Sequence, residues 1–111
     1  MTMFEPRGAN LAARLTQVAV GYYFSRAYEE AFEAAKQAIR SFPDFPPPYR
    51  YLAAALGQLG RTEEAKIALD QAIAIGPDSF DMYVGHCAPW WRPEDHAHML
   101  EGLRKAGWRE T

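Results

Sequence analysis

Two consecutive stretches of equal length decide the fold: residues 12–45, AARLTQVAVGYYFSRAYEEAFEAAKQAIRSFPDF, and residues 46–79, PPPYRYLAAALGQLGRTEEAKIALDQAIAIGPDS. They align without a gap, and the identical pairs are Ala19/Ala53, Glu29/Glu63, Glu30/Glu64, Ala31/Ala65, Ala34/Ala68, Gln37/Gln71, Ala38/Ala72, Ile39/Ile73, Pro43/Pro77 and Asp44/Asp78. Chance similarity between two alanine-rich helices would not keep the glutamates, the proline and the spacing in one register. The sequence therefore predicts an internal repeat, with residues 12–45 as its first copy and residues 46–79 as its second.

Each copy has the pattern of two amphipathic helices joined by a short turn. The apolar positions at helical spacing are Leu15, Val18, Ala19, Tyr22, Ala31, Ala35, Ala38 and Ile39 in the first copy, and Tyr49, Leu52, Ala53, Leu56, Ala65, Leu69, Ala72 and Ile73 in the second. Pro47 and Pro48 suit the first turn of a helix, which ends at residues 57–60. Thr62 is the predicted N-cap of the next helix, and Gly76 is predicted to end it in the left-handed conformation.

Residues 80–111 depart from the repeat. Asp78 or Ser79 is predicted to cap a third helix, but prolines on both sides of Trp90-Trp91-Arg92 interrupt the pattern. A last helix over residues 93–106, with the apolar stripe Met99, Leu100, Leu103 and Ala106, is expected to cover the open end of the stack. We therefore predict an all-α fold of about six helices. Its parts are an N-terminal extension (1–10), two full hairpins (11–79) and a degenerate third hairpin with a capping helix (80–111).

The composition limits the classes of function. The 111 residues are 49% apolar and 23% charged, which favours one folded domain over disorder. Twelve basic against fourteen acidic residues leave no broad positive field for nucleic acid. A single cysteine permits no internal disulfide. Because the start lacks the pattern of a signal peptide, and the most apolar stretch, residues 11–24, is short for a bilayer, we expect a cytoplasmic protein that does not enter a membrane.

The repeat resembles the tetratricopeptide repeat family. The residues that carry the resemblance are Tyr49, Leu52, Ala53, Leu56, Ala65, Leu69, Ala72 and Pro77, with Leu15, Val18, Ala19, Tyr22, Ala31, Ala35, Ala38 and Pro43 at the matching places in the first copy. The resemblance implies hairpins stacked into a curved slab that binds a protein or peptide. It implies no catalytic residue, metal or cofactor.

In that family the first helix of each hairpin lines a concave groove. The resemblance assigns to the groove Thr16, Val20, Tyr23, Phe24, Arg50, Ala54 and Gln58. Since these are mostly apolar and Arg50 is the single cation, the groove favours an apolar or aromatic peptide, an amphipathic helix or a neighbouring domain over the acidic tails of chaperones. The alternative is that Phe4 to Asn10 covers Tyr23 and Phe24.

Trp90, Trp91 and Arg92 form a second candidate interface. Tryptophan is enriched where proteins meet, but a loop framed by prolines could equally pack against the end of the stack. A homodimer through this loop or through the face of the N-terminal helix is a further expectation, because two repeats are close to the minimum for stability.

The tail, residues 89–107, PWWRPEDHAHMLEGLRKAG, is similar to the end of bacterial class III adenylate/guanylate cyclases that carry such repeats after the catalytic domain. The resemblance implies that the chain is the non-catalytic regulatory end of such an enzyme, with its own catalytic domain as one candidate partner. A stand-alone homodimerisation unit is the alternative interpretation. Cyclase chemistry itself needs an α/β domain larger than this chain.

A small metal- or thiol-dependent enzyme is a weaker alternative. It would use His86, Cys87 and His96, but these lack the regular ligand spacing that makes a metal site convincing. His96 and His98 lie about 200° apart around a helix, so they would not face one ion. Cys87 is expected to be a buried small apolar residue.

Overall fold

The computed structural model describes residues 6–87, 89 and 91–109, which form six α-helices and no strand. The helices are α1 (Pro6–Phe24), α2 (Tyr28–Ser41), α3 (Pro47–Gln58), α4 (Thr62–Ile75), α5 (Pro77–Gly85) and α6 (Pro93–Lys105). The predicted all-α fold is confirmed. In the part of the chain that is described, no helix is both long and apolar enough to cross a bilayer.

The turn inside each hairpin repeats in the predicted register. Arg26 and Gly60, which occupy the same place in the two copies, both have positive φ, at 65° and 76°. The next residues, Ala27 and Arg61, also match, with φ/ψ of −89°/72° and −85°/72°. Glycine adopts the left-handed conformation at little cost, whereas arginine pays a steric penalty there. The shared turn shows that the two hairpins are equivalent in backbone as well as in sequence.

Three predicted cap assignments are wrong. Thr62 is the first residue of α4 rather than its N-cap. Gly76 has φ −161°, which is extended, and it matches Phe42 (φ −138°) at the same place in the first hairpin. Gly76 serves both as C-cap of α4 and as N-cap of α5, so Asp78 and Ser79 lie inside α5. Because Phe42 has the same extended conformation, this position does not need the left-handed φ that glycine favours.

Helix α3 lies at the centre of the fold. Every residue from Pro48 to Gly57 is buried, because α2, α4 and α6 all pack against this helix and α1 also contacts it. Apart from Arg50, the buried residues of α3 are apolar or aromatic, which is typical of a helix in such a central position. The alanines predicted to allow close approach of the helices, Ala19, Ala31, Ala53 and Ala65, are fully buried.

The predicted apolar stripe of α1 is only partly buried. Val18 and Tyr22 are 50% and 42% exposed, whereas Leu52 and Leu56, their counterparts in α3, are buried. The first hairpin covers that face of α3, and the described part of the chain has no hairpin before α1. Ile73 of the predicted stripe is exposed as well.

Helix α6 runs along α3 with the two backbones in direct contact. A Cβ atom added to Gly57 would meet the carbonyl oxygen of Gly102 and lie 2.9 Å from the nitrogen of Ala106. Met99, Leu103 and Ala106 of the predicted stripe are buried, whereas Leu100 is only partly buried. Because α6 packs mainly on α3 and also contacts Tyr23 of the first hairpin, its position differs from the predicted cover over the open end of the stack.

Candidate functional site

Part of the predicted groove lies under α6. Tyr23 and Ala54 are fully buried, and the Tyr23 hydroxyl donates a hydrogen bond to the carbonyl oxygen of His98 at 2.5 Å. Gln58 Nε2 donates to Glu101 Oε1 at 2.9 Å. The groove is therefore closed near the C-terminal ends of α1 and α3, and in this structure Tyr23 and Ala54 face α6 rather than a partner.

His98 is the aromatic residue of α6 that seals this closed half. Its ring lies 4.5 Å from the Tyr23 ring between centroids, and its Nε2 shares a hydrogen bond of 2.7 Å with the Tyr28 hydroxyl. Burial lowers the pKa of His98 and raises the pKa of Tyr23. The described cover over Tyr23 thus comes from α6, while the side chains of Phe4 to Ala9, the alternative cover, lie outside the described residues.

The other half of the groove is open. It forms a cavity of about 400 Å³ whose lining includes Thr16, Val20, Phe24, Arg50, Trp91 and Arg92. The structure thereby brings four of the seven predicted groove residues together with Trp91 and Arg92, the described residues of the tryptophan loop (residues 90–92). Trp90 lies outside the described residues. The two surfaces proposed separately from the sequence meet around one cavity.

Among the charged groups that line this cavity, Arg92 and Asp95 form an ion pair, whereas Arg50 contacts only neutral groups. Arg50 is 5% exposed, its Nη1 donates to Ser79 Oγ at 3.3 Å, and its guanidinium lies 4.9 Å from the centre of the Tyr83 ring. Arg50 Nε has no hydrogen-bond partner. Burial lowers the pKa of Arg50. Asp95, by contrast, lies 3.8 Å from Arg92 Nε in an exposed ion pair.

Some residues at the cavity were not predicted, and one predicted residue contributes little polarity. Gln17, Tyr51 and Asp95 also line the cavity, and burial raises the pKa of Tyr51 to about 12. Gln17 and Tyr51 each follow a predicted residue directly, whereas Asp95 of α6 becomes their neighbour only through the tertiary fold. The buried Thr16 hydroxyl donates to the carbonyl oxygen of Ala12 at 2.8 Å. The hydroxyl hydrogen of Thr16 is therefore already used within α1 and is not available to a ligand.

The residues of the weaker enzyme alternative do not converge. His96 Nε2 lies 3.2 Å from the carbonyl oxygen of Val84, and the exposed His86 lies at a separate cavity of about 240 Å³. Cys87 is exposed, contrary to the expectation, because it follows the end of α5 in the loop. Across residues 6–87, 89 and 91–109, no group of three His, Cys, Asp or Glu side chains could hold a metal ion.

Comparison with known proteins agrees with the geometry of the hairpins. A family model described as tetratricopeptide repeat matches residues 25–84, more than half of the chain, from the turn before α2 to the end region of α5. No curated protein matches the chain, and no solved structure does. Tetratricopeptide repeats generally mediate protein–protein interactions and are generally non-catalytic. With a matching family model and two equivalent hairpins that follow each other without a gap, the chain belongs to the tetratricopeptide repeat family.

Proposed function

We propose that this chain is a non-catalytic protein-interaction module that holds an apolar segment of a partner in the open half of its groove. The observation that carries the proposal is the meeting of groove residues with Trp91 and Arg92 around one cavity. Val20, Phe24 and Trp91 are partly buried and pack against the core. Aromatic and apolar side chains around a concave site, with a few polar groups, are typical of binding sites.

The closed half of the groove limits how a partner can bind. A long peptide cannot run through the groove along both hairpins, because α6 already lies over Tyr23, Ala54 and Gln58. We therefore expect a short segment, or the end of a helix, that enters from the side of Val20 and Trp91.

Site-specific photo-crosslinking in cells tests this proposal. A benzophenone amino acid at Val20 is expected to crosslink to one discrete protein. The matched control is the same amino acid at Ile67, which is 61% exposed on α4 and does not line the cavity. Equal crosslinking from both positions, or none from Val20, would contradict the proposal.

We further propose that the chain is the C-terminal regulatory part of a bacterial class III adenylate cyclase and acts in the cytoplasm. The support is the similarity of residues 89–107 to the ends of such enzymes. On this proposal the partner is the cyclase's own catalytic domain.

Two results decide the cyclase proposal. The reading frame that precedes this sequence in its gene should encode a nucleotide cyclase domain. Removal of residues 12–107 from that enzyme should change its response to regulation but leave basal cyclic-nucleotide synthesis measurable. A preceding frame without such a domain would overturn the assignment.

A homodimerisation unit is the second candidate, because one apolar face lies exposed. Leu11, Val18 and Tyr22 are all exposed on α1, although the residues equivalent to the last two are buried in α3. This alternative requires a dimeric mass by light scattering that Val18→Glu reduces to a monomer and that Ile67→Glu leaves unchanged. A monomeric mass at micromolar concentration would exclude it.

A further inference from the structure

Arg50 is a buried cation without an acidic partner. Only 5% of the residue is exposed, and among the described residues no carboxylate lies within salt-bridge distance of it. Its contacts are neutral: the Ser79 hydroxyl at 3.3 Å and the Tyr83 ring at 4.9 Å. Buried charges are ordinarily paired, because removal from water is costly without compensating hydrogen bonds. The unpaired Nε of Arg50 departs from that rule.

The surroundings of Arg50 on the cavity side suit a ligand that is acidic at one point and apolar elsewhere. Val20, Phe24 and Trp91 supply apolar walls. The carboxylate of Asp95, which also lines the cavity, is already 3.8 Å from Arg92. An incoming carboxylate would therefore find the charge of Arg50 uncompensated, in a site where low exposure strengthens the attraction.

We propose that this cavity binds a glutamate side chain of a partner protein, with its carboxylate accepting hydrogen bonds from the Arg50 guanidinium and neighbouring leucine-like side chains packing on Val20, Phe24 and Trp91. This inference rests on the proposed function and names the chemistry of the partner. A glutamate stem can reach inward while the partner's backbone stays at the rim. A chain terminus would carry its own backbone N–H and C=O groups into a largely apolar cavity, where they would lack partners.

Three short peptides separate the sources of the carboxylate. Ac-Leu-Glu-Leu-NH2 carries it on a side chain, Ac-Leu-Gln-Leu-NH2 carries none, and Ac-Leu-Gln-Leu-OH carries it at the chain end. The Trp91 indole N–H reports binding in an NMR titration of the full chain. We expect the first peptide to bind at least about tenfold more tightly than the other two, because hydrogen bonds to charged groups are the strong ones.

Substitution of Arg50 is the second test of the proposed glutamate site. Arg50→Met keeps a side chain of similar length without the charge, and it removes the cost of burying a cation that has no acidic partner. It should remove the preference for glutamate, whereas Arg40→Met, at an exposed position in the last turn of α2, should retain it. The comparison of peptides on the unaltered protein remains decisive even if Arg50→Met does not fold.

The remaining outcomes overturn the inference in different ways. Equal binding of the Glu and Gln amides at Trp91 would exclude the role of Arg50 while leaving the groove as an apolar binding site, so the proposed function would stand. Tighter binding of the free-acid peptide would exclude a side-chain carboxylate as the occupant. No binding of any peptide at several millimolar would exclude the site itself.

Discussion

Replacement of Gly57 by alanine is expected to weaken the docking of α6 on α3. A Cβ atom at this position would meet the Gly102 carbonyl oxygen and lie 2.9 Å from the Ala106 nitrogen. Both are backbone atoms, so no side-chain rotation can relieve the contact. Helix α6 would have to move away from α3 or detach.

The size of the effect follows from two opposing contributions. Alanine in place of glycine inside a helix favours folding by about 1 kcal/mol. Overpacking typically costs about 1–3 kcal/mol, and a contact between two backbones belongs at the upper end. We therefore expect a net loss of about 2 kcal/mol in the free energy of unfolding. Full detachment would expose Met99 and Leu103, each worth about 1.5–3 kcal/mol when buried, and would therefore cost at least about 3 kcal/mol, so a local shift of α6 is the less costly response.

Thermal unfolding followed by circular dichroism measures this loss. A decrease of about 2 kcal/mol lowers the Tm of a domain of this size by roughly 10 °C. Gly21→Ala is the matched control, because Gly21 lies in α1 and nothing is within 4 Å of an added Cβ. That variant should be up to about 1 kcal/mol more stable than the parent, from helix propensity alone.

Equal stabilisation of both variants would refute the reasoning. It would mean that α6 does not lie against Gly57 in solution, and the closed half of the groove would then be open. Hydrogen exchange supplies an independent reading, since amides of α6 should lose protection in Gly57→Ala and keep it in Gly21→Ala.

Two further predictions concern the turn and the seal of the groove. Arg26→Gly should raise the free energy of unfolding by about 1 kcal/mol, because Arg26 has φ 65° where the second hairpin has glycine. Urea unfolding measures this change. The control is Ser25→Gly, at a neighbouring position in the same turn, which should not stabilise the protein. Burial lowers the pKa of His98 in the folded protein below its ordinary 6.5. As the pH falls, His98 is therefore protonated in the unfolded chain before it is protonated in the folded protein. The free energy of unfolding should be highest above pH 6.5 and should decrease as the pH falls through the pKa of His98 in the folded protein. His98→Gln should flatten the dependence on pH between 5 and 7 in the same assay, and an unchanged slope would show that His98 is not buried against Tyr23.

The groove shows which of its features the sequence pattern predicts and which it does not. Thr16, Val20, Phe24 and Arg50, which the family resemblance assigned to the groove, line the cavity. Tyr23, at the adjacent turn of the same helix, does not, because α6 covers it. Helical spacing indicates which side chains share a face, but it carries no information on which distant segment lies over that face.

The order of the hairpins was contained in the sequence itself. The regular period of the repeat and four small residues determine how neighbouring helices pack. The four residues are Ala19, Ala31, Ala53 and Ala65. Their effect is local, because it depends on short-range sterics and on the geometry of the helix. Tertiary structure alone decided that α6 lies along α3, that Gly57 and Gly102 meet, and that Arg50 becomes a buried cation beside an open cavity. Those contacts join residues far apart in the chain with no period between them. They depend on the shape of the surface that the packed helices present to α6, and the local sequence pattern does not predict that shape.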